Sequence, residues 1–215
     1  MAPLADRLRE ADLPGVRVQQ TDLFAASLAL PAGLTYAPGL IDEAQEQALV
    51  RRFAGLEFRA FEFCGFLGKR RVVSFGTRYD FAAARLQPAP PVPGWLRPLR
   101  AGVAAFAGME EAAFEHAMIT EYAPGAPIGW HRDRPEFEVV AGVSLLSPCT
   151  FRLRRRSGAG WERRSFVAEP RSAYVLSGPA RREWEHSIPP VEALRYSVTF
   201  RTLAAQAAAR SSATS

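Results

Sequence analysis

The chain is poor in the residues that carry most metal and redox chemistry. Among 215 residues it has two cysteines and three histidines. Two cysteines exclude a disulfide-stapled scaffold and a cysteine-rich zinc ribbon. It has one lysine, Lys69, so every other cation in the +5 formal balance is arginine. It also lacks a long apolar run. Val139–Leu146 is among the longest and falls far short of the ~20 residues a membrane span needs. The N-terminus, MAPLADRLREADLPG, mixes acids with arginines and has no apolar signal core. These absences predict a cytoplasmic protein with no membrane partner. What remains, 48% apolar and 23% charged residues, suits one core-bearing domain with an appendage.

The charge is split along the chain. Residues 1–68 hold 6 basic and 9 acidic side chains, whereas residues 69–215 hold 21 and 13. Arginine forks suit phosphate or carboxylate partners. A genome that favours arginine codons gives the same Arg/Lys ratio, but does not account for the clustering.

The pattern along the chain predicts a mainly β protein with flanking helices (α+β). Residues 1–38 read as an N-terminal arm, irregular over 1–32. LIDEAQEQALVRRFAGL, with Leu40, Ala44, Ala48, Leu49 and Phe53 near helical spacing, predicts a helix ending near Gly55. EFRAFEF and RRVVSFGTRYDF read as strands about a Gly65–Gly68 turn. LRPLRAGVAAFAG (96–108) reads as a second helix, stopped by Gly108. From Glu115 onward at least six short strands recur, separated by Gly, Pro and Ser turns, which suggests a barrel or jelly roll. The tail, 204–215, reads as disordered.

Two histidines and one carboxylate stand out. His131 and Asp133, two residues apart in an extended segment, point to the same side. His186, 53 residues on, could close a site from a second strand. Such a set matches the facial triad of non-haem Fe(II) oxygenases. The third histidine, His116, has no partner motif and reads as structural. In RYSVTFR (195–201), Arg195, Ser197, Thr199 and Arg201 share one strand face and Tyr196, Val198 and Phe200 the other. The arginine face either meets solvent or lines a polar cavity. The two arginines lie ~20 Å apart along the strand. They could reach opposite ends of a short dicarboxylic acid but not one carboxylate together.

H-x-D at 131–133, the distal histidine in WEHSIP, RYSVTFR and ITEYAPGAPIGWHRD (119–133) together resemble the AlkB family of Fe(II)/2-oxoglutarate-dependent dioxygenases. The similarity runs from about Gly39 to Leu203. It implies a double-stranded β-helix (jelly roll) with N-terminal helices and a substrate-lid hairpin region. The implied organisation is an AlkB-like domain over 39–203, with a lid at about 56–85 and a catalytic jelly roll at about 115–203. The resemblance implies Fe(II) held by His131, Asp133 and His186, with 2-oxoglutarate as co-substrate beside O2. Arg195 would pair with the far carboxylate of 2-oxoglutarate, Arg201 would lie near its metal-bound end and Asp133, and Tyr122 would donate to it. Thr120 and Ser197 stand where the family has Asn; both remain short and polar. The implied reaction decarboxylates 2-oxoglutarate to succinate and CO2, hydroxylates an N-methyl carbon and releases formaldehyde.

The substrate is read from weaker signals. GKRRVVSFGTRYDF (68–81) resembles the lid strands of bacterial AlkB-like proteins, and mixes aromatics with arginines as base stacking and phosphate contact would. Tyr79, Arg78, Arg71, Trp130 and Glu136 are the candidate substrate contacts, with Arg134 and Glu138 near the same entrance. Phe58, Phe61, Phe63, Phe66, Phe75 and Phe81 read chiefly as core, as do Cys64 and Cys149. Arg152, Arg154 and Arg156 share a face of a hairpin turning at SGAG. They form either a basic ridge for a phosphate backbone or a solvated edge. The expected partner is alkylated DNA or RNA, single-stranded, met by a monomer. The alternative is an oxygenase for a protein or small molecule, with a lid acidic or apolar at its mouth.

Overall fold

The computed structural model describes residues 30–63, 66–80 and 84–205. The readings for residues 1–29, Cys64, Phe81 and 206–215 fall outside those residues, as do the side chains of Phe63 and Phe66. Among the described residues, thirteen strands and three α-helices follow in chain order: β1 (Leu34–Ala37), α1 (Glu43–Phe53), β2 (Arg59–Phe63), β3 (Phe66–Phe75), β4 (Thr77–Asp80), β5 (Arg85–Pro88), α2 (Arg97–Ala107), β6 (His116–Tyr122), β7 (Ile128–His131), β8 (Phe137–Leu145), β9 (Cys149–Ser157), β10 (Gly160–Ala168), β11 (Ala173–Leu176), α3 (Gly178–Arg182), β12 (Glu185–Ile188) and β13 (Arg195–Leu203). No helix among the described residues is long and apolar enough to cross a membrane.

The strands form a seven-stranded sheet, β1-β11-β8-β13-β6-β3-β2, a four-stranded sheet, β10-β9-β12-β7, and the β4-β5 hairpin. Neighbours within both larger sheets pair antiparallel. This is the mainly β jelly-roll arrangement that the recurring short strands predict. Within the expected arm, Leu34–Ala37 pairs with Leu176–Ala173 and extends the large sheet. One expectation changes. Gly68 is not in the turn but inside β3, where it lets the Phe61 carbonyl come within 3.2 Å of where a Cβ would stand.

Two apolar layers hold the sheets. One face of the large sheet carries Ile119, Val143, Val198 and Phe200 against α1 and α2, through Leu49, Phe53, Leu99 and Val103. Each such side chain contributes ~1.5–3 kcal/mol on full burial. Helix α1 starts at a capping box, in which Gln45 N–H donates to the Asp42 carboxylate and Asp42 N–H to the Gln45 side chain. The second layer, with Phe151, Leu153, Phe166, Trp184 and Ile188, fills one part of the space between the sheets. Beside it lies the polar face of β13.

Glu46 ties α1 to two turns. It is buried on the helix, accepts from Leu146 N–H (2.8 Å), and pairs with Arg171 Nη1 (2.9 Å). Both turn residues have left-handed backbone, with φ of 68° and 64°, so one carboxylate holds two strained positions. Glu46→Ala is expected to destabilise by about 2 kcal/mol. That corresponds to a fall in melting temperature of about 4–8 °C for a domain this size, read by thermal denaturation.

Candidate active site

Strand β13 runs in the middle of the large sheet, between β6 and β8. Its alternation sends Tyr196, Val198 and Phe200 toward the helices, where Tyr196 meets Phe53 (5.2 Å between ring centroids). Arg195, Ser197, Thr199 and Arg201 face the other way and are all buried, not solvated. They line a cavity of about 1180 Å³ whose far wall comes from the small sheet and whose mouth is framed by β2, β3 and the β4-β5 hairpin. Of the two explanations for the arginine face, the polar cavity is the one found.

His131, Asp133 and His186 meet in this cavity. Pairing of β12 with β7 sets His186 opposite His131, which closes the 53-residue gap. One ligand atom from each of the three lies within 4.8 Å of the others. Asp133 Oδ1 is 3.5 Å from His131 Nε2 and 3.7 Å from His186 Nε2. The Gly129 carbonyl lies 2.9 Å from His131 Nδ1. It takes that proton and leaves the Nε2 lone pair aimed at the other two ligands. The His186 ring stacks on Phe151, 5.2 Å away with planes 15° apart. Burial first, then His131 beside it, lowers the His186 pKa to about 3. Its imidazole is therefore neutral at physiological pH, the state that binds metal. Burial works against the Asp133 charge. Arg201 beside it, the hydrogen bond with His131 and the two imidazoles outweigh that and hold the carboxyl well below the usual range.

Arg201 Nε donates to Asp133 Oδ2 at 2.7 Å. Its Nη1 lies 3.3 Å from Nδ1 of His116, which faces Arg201 across the β13-β6 pairing. His116 is buried against Phe137 (4.9 Å). Burial, and then the Arg201 charge, hold its pKa well below that of a free imidazole. His116 packs outside the triad and backs the arginine that orients Asp133.

Arg195 differs. It is 1% exposed, the largest fully buried side chain among the described residues. Its Nε and Nη2 both donate to Ser144 Oγ (3.2 and 2.9 Å), and its guanidinium lies 4.8 Å from the centroid of the Tyr122 ring. No carboxylate among the described residues forms an ion pair with it, and Nη1 has no partner. A buried guanidinium with an open donor is costly unless an anion completes it. Three ligand atoms with room beside them, and an unpaired guanidinium across the same cavity, fit a metal ion together with a dicarboxylate.

The remaining expected residues divide. Thr120 and Ser197 sit opposite each other in adjacent strands and line the cavity, as do Tyr122, Arg78, Tyr79 and Trp130. Arg134 donates to the Tyr79 hydroxyl and lies over its ring at 4.1 Å. Two expected residues lie off the wall. Arg71 points to the opposite side of β3, where it pairs with Glu121 (2.7 Å). Its neighbour Arg70 takes the cavity side, over the Phe61 ring at 3.8 Å. Glu136 sits behind Arg134, its carboxylate 3.6 Å from Nε. Ser144 and Phe151 were not expected, and Arg70 only as one of the lid arginines. The β3-β6 register, in which Val72 pairs with the cavity residue Thr120, is what puts Arg70 on the cavity face; nothing local in the sequence marks Ser144.

A jelly roll with a two-histidine, one-carboxylate set open to a cavity defines the class of non-haem iron oxygenases. The family model described as the 2OG-Fe(II) oxygenase superfamily matches residues 33–201. The chain belongs to that superfamily, so Fe(II) and 2-oxoglutarate are its implied cofactor and co-substrate. Among curated relatives, it is 27% identical over 191 residues to the alkylated DNA repair protein ALKBH8 homolog of Arabidopsis thaliana, covering 78% of this chain and 53% of that protein. It is 31% identical over 78 residues to the uncharacterized protein L905 of Acanthamoeba polyphaga mimivirus, covering 35% and 37%. The chain thus spans about half the length of the first relative and about a third of the second. Among solved structures, OsALKBH1 superposes with a TM-score of 0.59 at 15% identity, covering 80% of this chain and 98% of that one. A 2OG-Fe(II) oxygenase-family oxidoreductase from Burkholderia pseudomallei gives 0.57 at 16%, covering 80% and 85%. Both likenesses speak for the fold.

Proposed function

We propose that the chain is a dioxygenase that removes N-alkyl groups from nucleic-acid bases, with a domain that takes in β1 as well as the expected residues 39–203. The observation that carries the reaction is Arg195, a buried cation lacking an anion, placed in the same cavity as the triad. His131, Asp133 and His186 would hold Fe(II), and Arg195 would take the far carboxylate of 2-oxoglutarate. When bound, the pair supplies the oxidising chemistry: 2-oxoglutarate and O2 become succinate and CO2, and one oxygen atom enters the N-alkyl carbon.

The protein's own part is placement. Gly129 fixes the His131 tautomer, and Arg201 keeps Asp133 charged and oriented. Ser144 and Tyr122 hold the Arg195 guanidinium in one pose. The cavity walls limit water around the reacting carbon. Once hydroxylated, that carbon belongs to a hemiaminal, which loses formaldehyde and returns the N–H without further help from a side chain.

The substrate reading rests on the mouth. It presents arginines at Arg59, Arg78, Arg132 and Arg134 beside the Tyr79 and Trp130 rings. A relative described as an alkylated DNA repair protein homolog supports the same reading. The test is a panel of 1-methyladenine and 3-methylcytosine in single- and double-stranded DNA and RNA, followed by mass after incubation with iron, 2-oxoglutarate and ascorbate. Loss of 14 mass units per base (about one CH2 replaced, as dealkylation requires) is expected on the single strands. Succinate formation with no loss on any oligonucleotide would exclude the proposal.

A further inference from the structure

The outer face of the four-stranded sheet has an unusual composition. In β9, Cys149, Phe151 and Leu153 point into the apolar layer between the sheets. Alternation therefore puts Arg152, Arg154 and Arg156 on the outside. The arginines interleave with two tryptophans. Arg154 lies between Trp130 (4.4 Å to the ring centroid) and Trp161 (4.1 Å). Arg152 lies 5.2 Å from Trp130, and Arg156 4.5 Å from Trp161. The result is a ladder in the order Arg152, Trp130, Arg154, Trp161, Arg156.

Stacking on indole holds a guanidinium in place without neutralising it, unlike an ion pair. Only Arg154 is neutralised, by Glu185 at 2.7 Å. Arg152, Arg156 and the exposed Arg163 form no ion pair among the described residues. Arg152 instead donates to Ser187 Oγ (3.1 Å). Residues i and i+2 on a strand repeat about every 6.6 Å, the scale of one extended nucleotide backbone unit. The ladder is also continuous with the active site. Trp130 adjoins the ligand His131, sits on β7 at the edge of the small sheet, and lines the catalytic cavity. At the hairpin end, Arg156, Arg132 and Arg182 border a second cleft of about 530 Å³.

We propose that this outer face is a track for the single-stranded nucleic acid flanking the target base, entering the cavity over β7. The inference rests on the nucleic-acid reading above and assigns the polymer's path. Phosphates lie against Arg152, Arg156 and Arg163, and bases pack against the indole rings and guanidinium planes of the ladder. The charge and the aromatic interleaving favour nucleic acid over an acidic peptide, which would use the cations but not the rings.

The test is fluorescence anisotropy of labelled, unmethylated 12-nucleotide oligothymidylate across a salt series, with the full chain and no iron. The variant is Arg156→Gln/Arg163→Gln, at two exposed positions that touch neither metal nor co-substrate site. Arg51→Gln/Arg52→Gln on α1, also exposed, removes the same charge from a helix packed on the other side of the large sheet. Each single-strand phosphate contact contributes ~0.7 to the log–log salt slope. The track variant should therefore lose about 1.4 of slope and about tenfold in affinity at low salt, and the α1 variant should keep both. Equal losses in the two variants, an unmoved track variant, or polyglutamate competing as well as oligothymidylate would each overturn the track. The two proposals fail separately. Methyl-base removal that is insensitive to Arg156 and Arg163 removes the track and keeps the reaction. Binding that depends on them without any methyl-base removal keeps the track and removes the reaction.

Discussion

Replacing Arg195 with methionine is expected to abolish 2-oxoglutarate binding while raising the melting temperature of the ligand-free protein. The two effects share one cause. In the free protein the Arg195 guanidinium is 1% exposed, has only the Ser144 hydroxyl as acceptor, and leaves Nη1 unpaired. Burying a cation without a counter-charge is unfavourable, and a well-packed apolar side chain in such a place commonly stabilises by about 1–4 kcal/mol. With the dicarboxylate bound, the balance reverses, because the fork then meets a carboxylate in a water-poor cavity. Truncating one partner of such a pair costs about 2–5 kcal/mol, or about 30- to 4,000-fold in affinity at 1.4 kcal/mol per tenfold. Thermal denaturation with Mn(II), with and without 2-oxoglutarate, reads both. Wild type should gain about 2.7 kcal/mol at a ligand concentration of 100 Kd; the variant should start higher and gain nothing. Arg195→Lys should recover part of the gain, because a point charge replaces a two-pronged donor. A methionine variant that still responds to 2-oxoglutarate would remove Arg195 from the co-substrate site.

Strand parity explains what the sequence revealed. His131 and Asp133 are legible as a pair because i and i+2 share a face of an extended chain, and the same rule groups Arg195, Ser197, Thr199 and Arg201. Neither fact says which face is buried. That depends on β13 lying between β6 and β8, with the helices on its apolar side. Long-range pairing likewise decides that His186 stands opposite His131. Ser144 shows the limit most clearly. In GVSLL it reads as an ordinary small residue of a core strand, and only the Ser197–Ser144 register brings it beneath Arg195. Arg71 and Arg70 differ by one step of parity, and without the β3-β6 register nothing local selects between them. The arginine hairpin was legible as basic. Its interleaving with Trp130 was not, because Trp130 comes from β7, with β12 lying between it and β9.

Replacing Asp133 with asparagine is expected to remove both metal binding and stability, whereas His131→Ala should remove only the first. Both variants lose one of the three ligands and should lose oxygenase turnover by about three orders of magnitude or more, as when a member of a catalytic unit is deleted. Their structural roles differ. The His131 side chain is 36% exposed and its hydrogen bond is to Gly129 nearby in sequence, so its removal should cost under about 1 kcal/mol. Asp133 is 8% exposed and neutralises Arg201, itself 9% exposed, at 2.7 Å. An amide there keeps an acceptor but strands the charge, which should cost about 2–4 kcal/mol. The pH dependence follows from the direction of the Asp133 shift. Burial opposes its charge, but Arg201 and the neighbouring histidines hold the folded carboxyl well below the ordinary range. A depressed folded value contributes stability that is fully present above the unfolded value, about pH 3.9. It is lost as pH falls below that and through the folded value. The stability gap between metal-free wild type and Asp133→Asn should therefore stay constant from neutral pH down to about pH 5, and narrow only in stronger acid. Urea unfolding of the two proteins at a series of pH values measures the gap. A gap that already closes between pH 7 and 5 would mean that Asp133 is not the partner that keeps Arg201 buried.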